Sequence, residues 1–528
     1  MKVLKFRGGG VEKFAVGVIV IAQMMLVFFT QKATLVGTDG IFSYTLSNNP
    51  YNYLFIDDIY HQFPQNNGWL EAHILKENYV VETYDRFNYS AVYHHQRHDV
   101  HPPLYYFMVH TVSSLFPGRY SNLYTMGINL FTLLLSDMIL IRMCRLLYGS
   151  VGYSAVPLAF LMLMESMRFL LTWARMYMML FLFCLWYLYI HAKMLMQDWK
   201  KGNLIQMIAC IFLGTLTHYY FYIYAGSLTI FMCLYLIFRK KGHALLKYIY
   251  CGVVGIASSW IFYPWVLFHI FLNNQQKHSK IEMWSPEKGK EYLIFLKEKL
   301  LNDHGWKWLL LPVLCCLSMV VSKEKKHSSF RKMAVTSGLL YSVIIYTLDG
   351  GTVYYSTPLY MAFIVWASMA LLDLFEKVNL PWEKKGVRIG MAVFCAVILC
   401  SGGTMKLYVE NAGDAIACMY KGQPVMSEFR QAPGKYRNYN CIYIEEEQDN
   451  LFHGYFFDFG EYQLFKKMSL EEFRSHGIRQ EDLAGCEGRG AGIVVYAPQE
   501  CEFDEREYRW LSADSSYNIY EYVGERGK

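Results

Sequence analysis

Charge is scarce in this sequence. Aspartate, glutamate, lysine and arginine make up only 18% of the 528 residues, where a soluble chain carries about 25%. That shortage excludes an ordinary string of soluble domains. Nucleotide chemistry is missing as well: there is no Walker A sequence, no glycine-rich dinucleotide turn and no Cys/His array with metal-ligand spacing. The net charge of +6 is no nucleic-acid signature, because the basic residues fall in short clusters between apolar runs, as they do where orientation in a membrane is encoded. The first apolar run, Phe14 to Thr30, follows Lys2, Lys5, Arg7 and Lys13. No small-residue cleavage site follows it, so it reads as a retained anchor rather than a signal peptide.

What the chain has in abundance is apolar: 54% hydrophobic residues, 17% aromatic. These collect in runs of roughly 17–25, long enough to cross a bilayer as helices. Taking Lys/Arg clusters as cytoplasmic gives about eleven spans, with a basic N-terminus inside and everything after residue 405 outside. After the anchor come spans near 122–142, 151–169, 175–192, 203–218, 221–238 and 248–271. One more lies between Gly305 and Lys323, followed by spans near 333–348, 354–373 and 389–404. Residues 31–121 form a long outer loop containing a helix near Pro103–Phe116, read as interfacial with Tyr105, Tyr106, Phe107 and Phe116 as anchors. If that helix crosses instead, the count becomes twelve.

The last 120 or so residues change character. Cys441–Ile444, Gly492–Tyr496 and Tyr517–Tyr522 read as strands, and Met468–Phe473 as a short helix with a serine N-cap. The fold class is therefore an all-α polytopic membrane protein, residues 1–404, with a small extracytoplasmic α/β domain, 405–528. Cys418, Cys441, Cys486 and Cys501 are an even number in an oxidising setting, compatible with one or two disulfides or with four free thiols. Localisation is a multi-pass cell membrane.

No inside loop exceeds roughly 15 residues, so the cytoplasmic face has no room for a nucleotide-binding domain. The deliberate polar residues sit on the outer side. Arg97-His98-Asp99-Val100-His101-Pro102-Pro103 holds Asp99 and His101 on extended backbone at the mouth of a helix, because proline fixes φ and keeps its predecessor out of helical geometry. Asp39 and the Asp57-Asp58 pair share that loop. Arg168, Arg175 and Tyr177 fall at one outer turn, His218 and Tyr219 at another, and Tyr354-Tyr355 at a third. A transporter buries such groups near the midplane, whereas outward clustering favours a surface reaction. Each has a plainer reading too: snorkelling to headgroups for Arg168 and Arg175, membrane anchoring for His218 and Tyr219, and a solvated loop for Asp57-Asp58. The lysine-rich outer segment with Lys277, Lys280, Lys288, Lys290, Lys297 and Lys299 reads as a solvated amphipathic helix.

Asp39-Gly40-Ile41-Phe42-Ser43-Tyr44, then Asp99-Val100-His101-Pro102-Pro103-Leu104-Tyr105-Tyr106, Ala174-Arg175-Met176-Tyr177 and Thr217-His218-Tyr219 together resemble a GT-C glycosyltransferase. The nearest group is the family-39-like set of protein O-mannosyltransferases and lipid A aminoarabinose transferases. The resemblance covers roughly residues 10–400, and the acid before His-Pro-Pro-Leu-Tyr-Tyr is its most specific part. It implies inverting transfer of a sugar from a polyprenyl-phosphate donor to an extracytoplasmic acceptor: a cell-wall polymer, a glycolipid or a protein. Such a donor arrives through the membrane, in keeping with the missing nucleotide domain. The resemblance makes Asp39 the general base; where the family has Asp-Glu this chain has Asp39-Gly40, so either a partner acid comes from elsewhere, with Asp99 the first candidate, or Asp39 works alone. Arg175, Tyr177, Arg168, His101, His218 and Tyr219 become candidates to meet the donor phosphate. The glutamate that commonly precedes Ala-Arg is replaced by Thr172-Trp173, and the Arg-Tyr often found near Tyr354-Tyr355 lacks its arginine. Some branches use a divalent metal, but no ligand set beyond Asp39, Asp99 and His101 supports one here. The alternative reading is a flippase for lipid-linked sugars, and a third is a non-catalytic partner whose outer domain binds wall polymer.

Overall fold

The computed structural model describes residues 10–32, 38–50, 56–271 except 198, 286–301, 325–377 except 350, 351 and 353, a few between 386 and 394, 436–446, 455–513 and 517–524. The expected spans between 305 and 323 and near 389–404 lie wholly or largely outside the described residues, as does Cys418. The chain forms two compact units. One comprises residues 1–31, 100–105 and 126–412; the other comprises 32–99, 106–125 and 413–528.

In chain order the helices are α1 (Gly10–Lys32), α2 (Thr38–Asn48), α3 (Ile56–Gln62), α4 (Ala72–Glu77), α5 (Tyr89–His98), α6 (Leu104–Leu115) and α7 (Leu123–Tyr148). They continue with α8 (Ala155–Leu163), α9 (Glu165–Thr172), α10 (Tyr177–Met196), α11 (Lys201–Thr215), α12 (Tyr220–Phe238), α13 (Gly242–Phe262) and α14 (Trp265–Phe271). The remaining long helices are α15 (Pro286–Leu301), α16 (Lys325–Asp349) and α17 (Thr357–Lys377). Among the described residues four stretches are long and apolar enough to cross a membrane: Tyr177–Met196, Tyr220–Phe238, Gly242–Phe262 and Thr357–Leu374.

The first unit is helical. Its centre is α10, apolar on every side and almost wholly buried, packed against α11, α12, α16 and α17. A helix apolar all round has no face to give to water, so it goes inside. Close approach between helices is made by glycine: a Cβ on Gly255 of α13 would stand 2.8 Å from Ile211 of α11, and one on Gly338 of α16 would collide with Ala362 of α17. Two expected helices are broken. The span near 151–169 divides at Met164, whose ψ of 125° leaves the helical region between α8 and α9. The span near 248–271 divides at Tyr263, extended at φ −135° and ψ 79° because Pro264 follows it.

Several buried polar groups in this unit are paired across helices. His191 Nδ1 lies 2.7 Å from the Tyr187 carbonyl, which only accepts, so the ring proton is on Nδ1. Nε2 then accepts the Tyr248 hydroxyl at 2.8 Å, and Tyr248 in turn meets Thr229 at 2.9 Å. This chain of bonds ties α10, α12 and α13 together. Between α16 and α17, Arg331 donates to Asp373 at 2.8 Å with both side chains buried, and Tyr148 of α7 donates to the other carboxylate oxygen at 3.1 Å.

The second unit is built on a mixed sheet of β1 (Trp69–Glu71), β2 (Asn440–Glu445), β3 (Leu464–Ser469), β4 (Ile493–Pro498), β5 (Tyr508–Ala513) and β6 (Tyr517–Tyr522). The order is β1-β3-β2-β4-β6-β5, with β2 parallel to β3 and β4 and the other pairs antiparallel. β2 and β4 are buried along their whole length, as central parallel strands are. The expected strands are β2, β4 and β6. The expected short helix is Leu470–His476, with Ser469 Oγ accepting the Glu472 amide at 3.1 Å. Cys441, Cys486 and Cys501 are free and buried, packed rather than bridged.

The edge strand β1 comes from the segment between α3 and α4. Trp69 donates its indole N–H to the Asp482 carbonyl at 2.7 Å, and the buried Lys466–Asp482 pair lies beside it at 3.1 Å. Tyr79 donates to the Phe457 carbonyl at 2.9 Å and meets its ring edge-on at 4.9 Å. Tyr106 is buried rather than interfacial, because α6 turns that face inward, and Tyr105 is buried too; Phe116 stays exposed.

The Arg331–Asp373 pair predicts a specific pattern of instability. Arg331→Met alone leaves a buried carboxylate without its counter-charge and costs on the order of 3–5 kcal/mol, whereas Arg331→Met with Asp373→Leu recovers most of the loss. Thermal unfolding of the detergent-solubilised protein reads both; equal losses in the single and double variants would sink the assignment.

Candidate functional site

The α9–α10 turn is held from the side. Asn129, in the middle of apolar α7, donates its side-chain amide to the carbonyls of Leu171 at 3.0 Å and Trp173 at 2.8 Å. The Arg175 amide closes the turn onto the same Trp173 carbonyl at 2.8 Å. Without Asn129 the Leu171 carbonyl would lose this donor, at a cost of about 1–3 kcal/mol, and the Trp173 carbonyl would keep only the Arg175 amide. The turn places Arg175 inside the unit, 7% exposed, so its guanidinium is held by protein and does not snorkel. Tyr177, the first residue of α10, is 1% exposed and stacks on Tyr354 at 5.0 Å and 27°.

The α11–α12 turn brings His218 to this place. Its ring lies 5.6 Å from Tyr177, 5.9 Å from His101 and 6.0 Å from Tyr355. The segment carrying His101 is pinned to the turn, since the Leu104 amide donates to the Leu216 carbonyl at 3.0 Å. Proline at 102 and 103 leaves Leu104 as the first amide of α6 able to make such a bond. Tyr355 is fixed by Tyr341 of α16, whose hydroxyl donates to its carbonyl at 2.5 Å.

His218 has one defined tautomer. Its Nδ1 accepts the Tyr220 amide at 3.1 Å, so in the neutral ring the proton is on Nε2. That Nε2 is buried and has no hydrogen-bond partner among the described residues. Burial pushes the imidazole pKa well below its ordinary value, and the nearby His101 and Arg175 push it the same way. The charges acting on His218 are thus those of cationic or potentially cationic groups. The arrangement offers a guanidinium, a neutral imidazole N–H and tyrosine hydroxyls within one aromatic-walled place. Its chemistry fits an anion with several acceptor oxygens.

Of the residues singled out in the sequence, His101, Arg175, Tyr177 and His218 come together, with Tyr354 and Tyr355 beside them. Tyr219 is turned away, its hydroxyl bonded to His269 Nδ1 at 2.6 Å. Arg168 lies on α9, with its side chain outside the described residues. Asp39 and Asp99 belong to the second unit. Asp39 is half-buried in the first turn of α2, and Asp99 caps α5 on extended backbone at ψ 177°. Asp58 is an exposed residue of α3. Among the described residues no group of three or more His, Cys, Asp or Glu is arranged to hold a metal ion. Asn129 was not singled out in the sequence; its only signal is a lone amide in an apolar helix.

No family model matches the chain, and no curated protein matches it. Solved structures do resemble it. The ArnT protein of Cupriavidus metallidurans bound to undecaprenyl phosphate aligns at 12% identity and a TM-score of 0.49, covering 97% of this chain and 99% of that one. The apo state of the same protein gives 12% and 0.48, over 96% and 98%. The oligosaccharyltransferase AglB of Archaeoglobus fulgidus, in complex with an inhibitory peptide and a dolichol phosphate, gives 11% and 0.43, over 97% and 74%. Every TM-score lies below 0.5, and function has to be read from the chain's own residues.

Proposed function

We propose that this chain is an integral membrane glycosyltransferase that takes a sugar from a polyprenyl-phosphate donor and passes it, with inversion, to an acceptor outside the cytoplasm. The observation that carries the reading is the buried Nε2–H of His218 beside Arg175, a donor set aimed at an anion. A phosphate linked to a lipid satisfies both that set and a sequence without a nucleotide-binding domain. The motif run from Asp39 to His218 is the second support, and the alternation of apolar runs with basic clusters into about eleven spans is the third.

In this mechanism Asp39 removes the proton from the acceptor hydroxyl as its oxygen attacks the anomeric carbon from the face opposite the phosphate. Asp99 orients or supports that carboxylate. The bond to the phosphate oxygen breaks, and polyprenyl phosphate leaves with one more negative charge. Arg175 and His218 Nε2–H meet that charge, with Tyr177 and His101 completing the cradle. Because Arg175, His218 and Tyr177 are already buried, little reorganisation is needed as the charge develops.

A transfer assay in proteoliposomes, offering a panel of polyprenyl-phosphate sugars with cell-envelope acceptors, tests this directly. Wild type should consume one donor; Asp39→Asn should lower kcat by about 10²–10⁴, and Arg175→Ala by about 10²–10³. Donors that bind but never turn over, while crossing the bilayer in reconstituted vesicles, would replace the transferase by a flippase.

The proton state of His218 has its own signature. With a native pKa below the unfolded value of 6.5, the unfolded chain binds more protons as pH falls through that value. Stability should therefore decline from about pH 7 downward and level off only below the native pKa. Thermal unfolding across that range should show a shallower decline in His218→Gln. An unchanged slope would mean that His218 is not buried neutral.

A further inference from the structure

Far along the chain from the phosphate-type cluster, the second unit carries an open cavity of about 730 Å³ at the β5 end of its sheet. Its floor is aromatic. Tyr508 and Trp510 of β5 stand opposite Tyr522 and Tyr520 of β6, and strand alternation puts all four rings on one face. Phe503 covers this row, 4.4 Å from Tyr520 and 4.6 Å from Tyr508. Tyr508 is buried, but Trp510 at the end of the row is 60% exposed. A single exposed aromatic residue is ordinary. Here the indole extends a packed aromatic surface into a concave site, and the turn before β5 sets Glu505 and Arg506 at its rim. Asp504 fixes that turn, accepting the Arg506 amide at 2.9 Å.

We infer that this cavity is a carbohydrate-binding site. A pyranose ring presents a face of C–H groups, weakly positive, to the negative face of an aromatic ring, and a belt of hydroxyls at its edge. Trp510 supplies the platform, continued by the packed rings of Tyr520 and Phe503, while Glu505 accepts from hydroxyls and Arg506 donates to them. The volume lies in the range of small-ligand sites, about 300–1,000 Å³.

Charge and shape decide against other occupants. Both arginines at the site are ion-paired, Arg506 with Asp504 at 3.3 Å and Arg509 with Glu521, so the site carries no net positive field for an acidic peptide or an anionic bilayer. A bilayer also takes a convex or flat apolar face, whereas this one is concave. Added strands are disfavoured because β5 has a register shift between Trp510 and Ser512 that interrupts the edge. A neutral ligand rich in hydroxyls remains. None of these residues takes part in the proposed transfer reaction, so binding can be measured without turnover.

The test uses the purified full chain in detergent with cellotetraose, chitotetraose and mannotetraose as probes, followed by saturation-transfer NMR. At least one should bind saturably. Trp510→Ala should weaken it by about tenfold or more, Trp510→Phe by much less, and Arg506→Gln by an intermediate factor. Unchanged thermal unfolding in Trp510→Ala would show that the loss is local to this exposed side chain. No saturable binding to any of the three, or equal binding by Trp510→Ala, would overturn the inference. So would proteoliposomes in which brominated lipids quench fluorescence in wild type but quench it less in Trp510→Ala, because the indole would then lie on the bilayer.

Discussion

A polar group removed from water has to be paired, and in the helical unit that requirement organises nearly everything else. The amide of Asn129 closes two carbonyls of the α9–α10 turn. His191, Tyr248 and Thr229 close one another across three helices, and Arg331 closes Asp373. Against this background the buried Nε2 of His218 stands out, because its own turn fixes the proton there and the described residues give it no acceptor. Asp137 and Asn203 also carry buried atoms without a partner among the described residues, but the one on His218 lies beside Arg175 and against the ring of Tyr177. The aromatic walls from Tyr177, Tyr354 and Tyr355 exclude water around it and strengthen any charge-assisted bond made there.

Much of the fold can be read from local chemistry. Apolar runs between basic clusters mark the helices, short apolar runs mark β2 and β4, and an alternating run marks β6. Ser469 with acids in the following turn marks its helix start. What escapes is what local chemistry does not encode. The break at Met164 has no proline or glycine to announce it; Tyr263-Pro264 did carry the signal, but the surrounding hydrophobicity concealed it. β3 reads poorly because Lys466 interrupts its apolar pattern, and only the distant Asp482 explains how that lysine is buried. β1 is three residues long and has its partner at the other end of the chain.

The site divides in the same way. His101, Arg175, Tyr177 and His218 were recognisable by motif, because extended backbone before prolines and polar groups at helix ends are local features. That Tyr219 would turn to His269 while His218 turned to His101 depends on where α14 packs, which the sequence does not display. The support given by Asn129 is likewise visible only once α7 lies beside the turn. First contacts are legible; the groups that hold them in place are less so.

The pairing of β1 with β3 has a consequence in time as well as in space. Trp69 and its partner Lys466 are separated by about 400 residues, and at about 5–20 residues per second their syntheses are about 20–80 s apart. For that interval the strand, the indole and the aromatic residues around Tyr79 exist without the sheet that will cover them. The order of synthesis therefore makes β2 to β6 the step that closes a structure begun near Trp69, and the sheet cannot be complete until Tyr522 has been made.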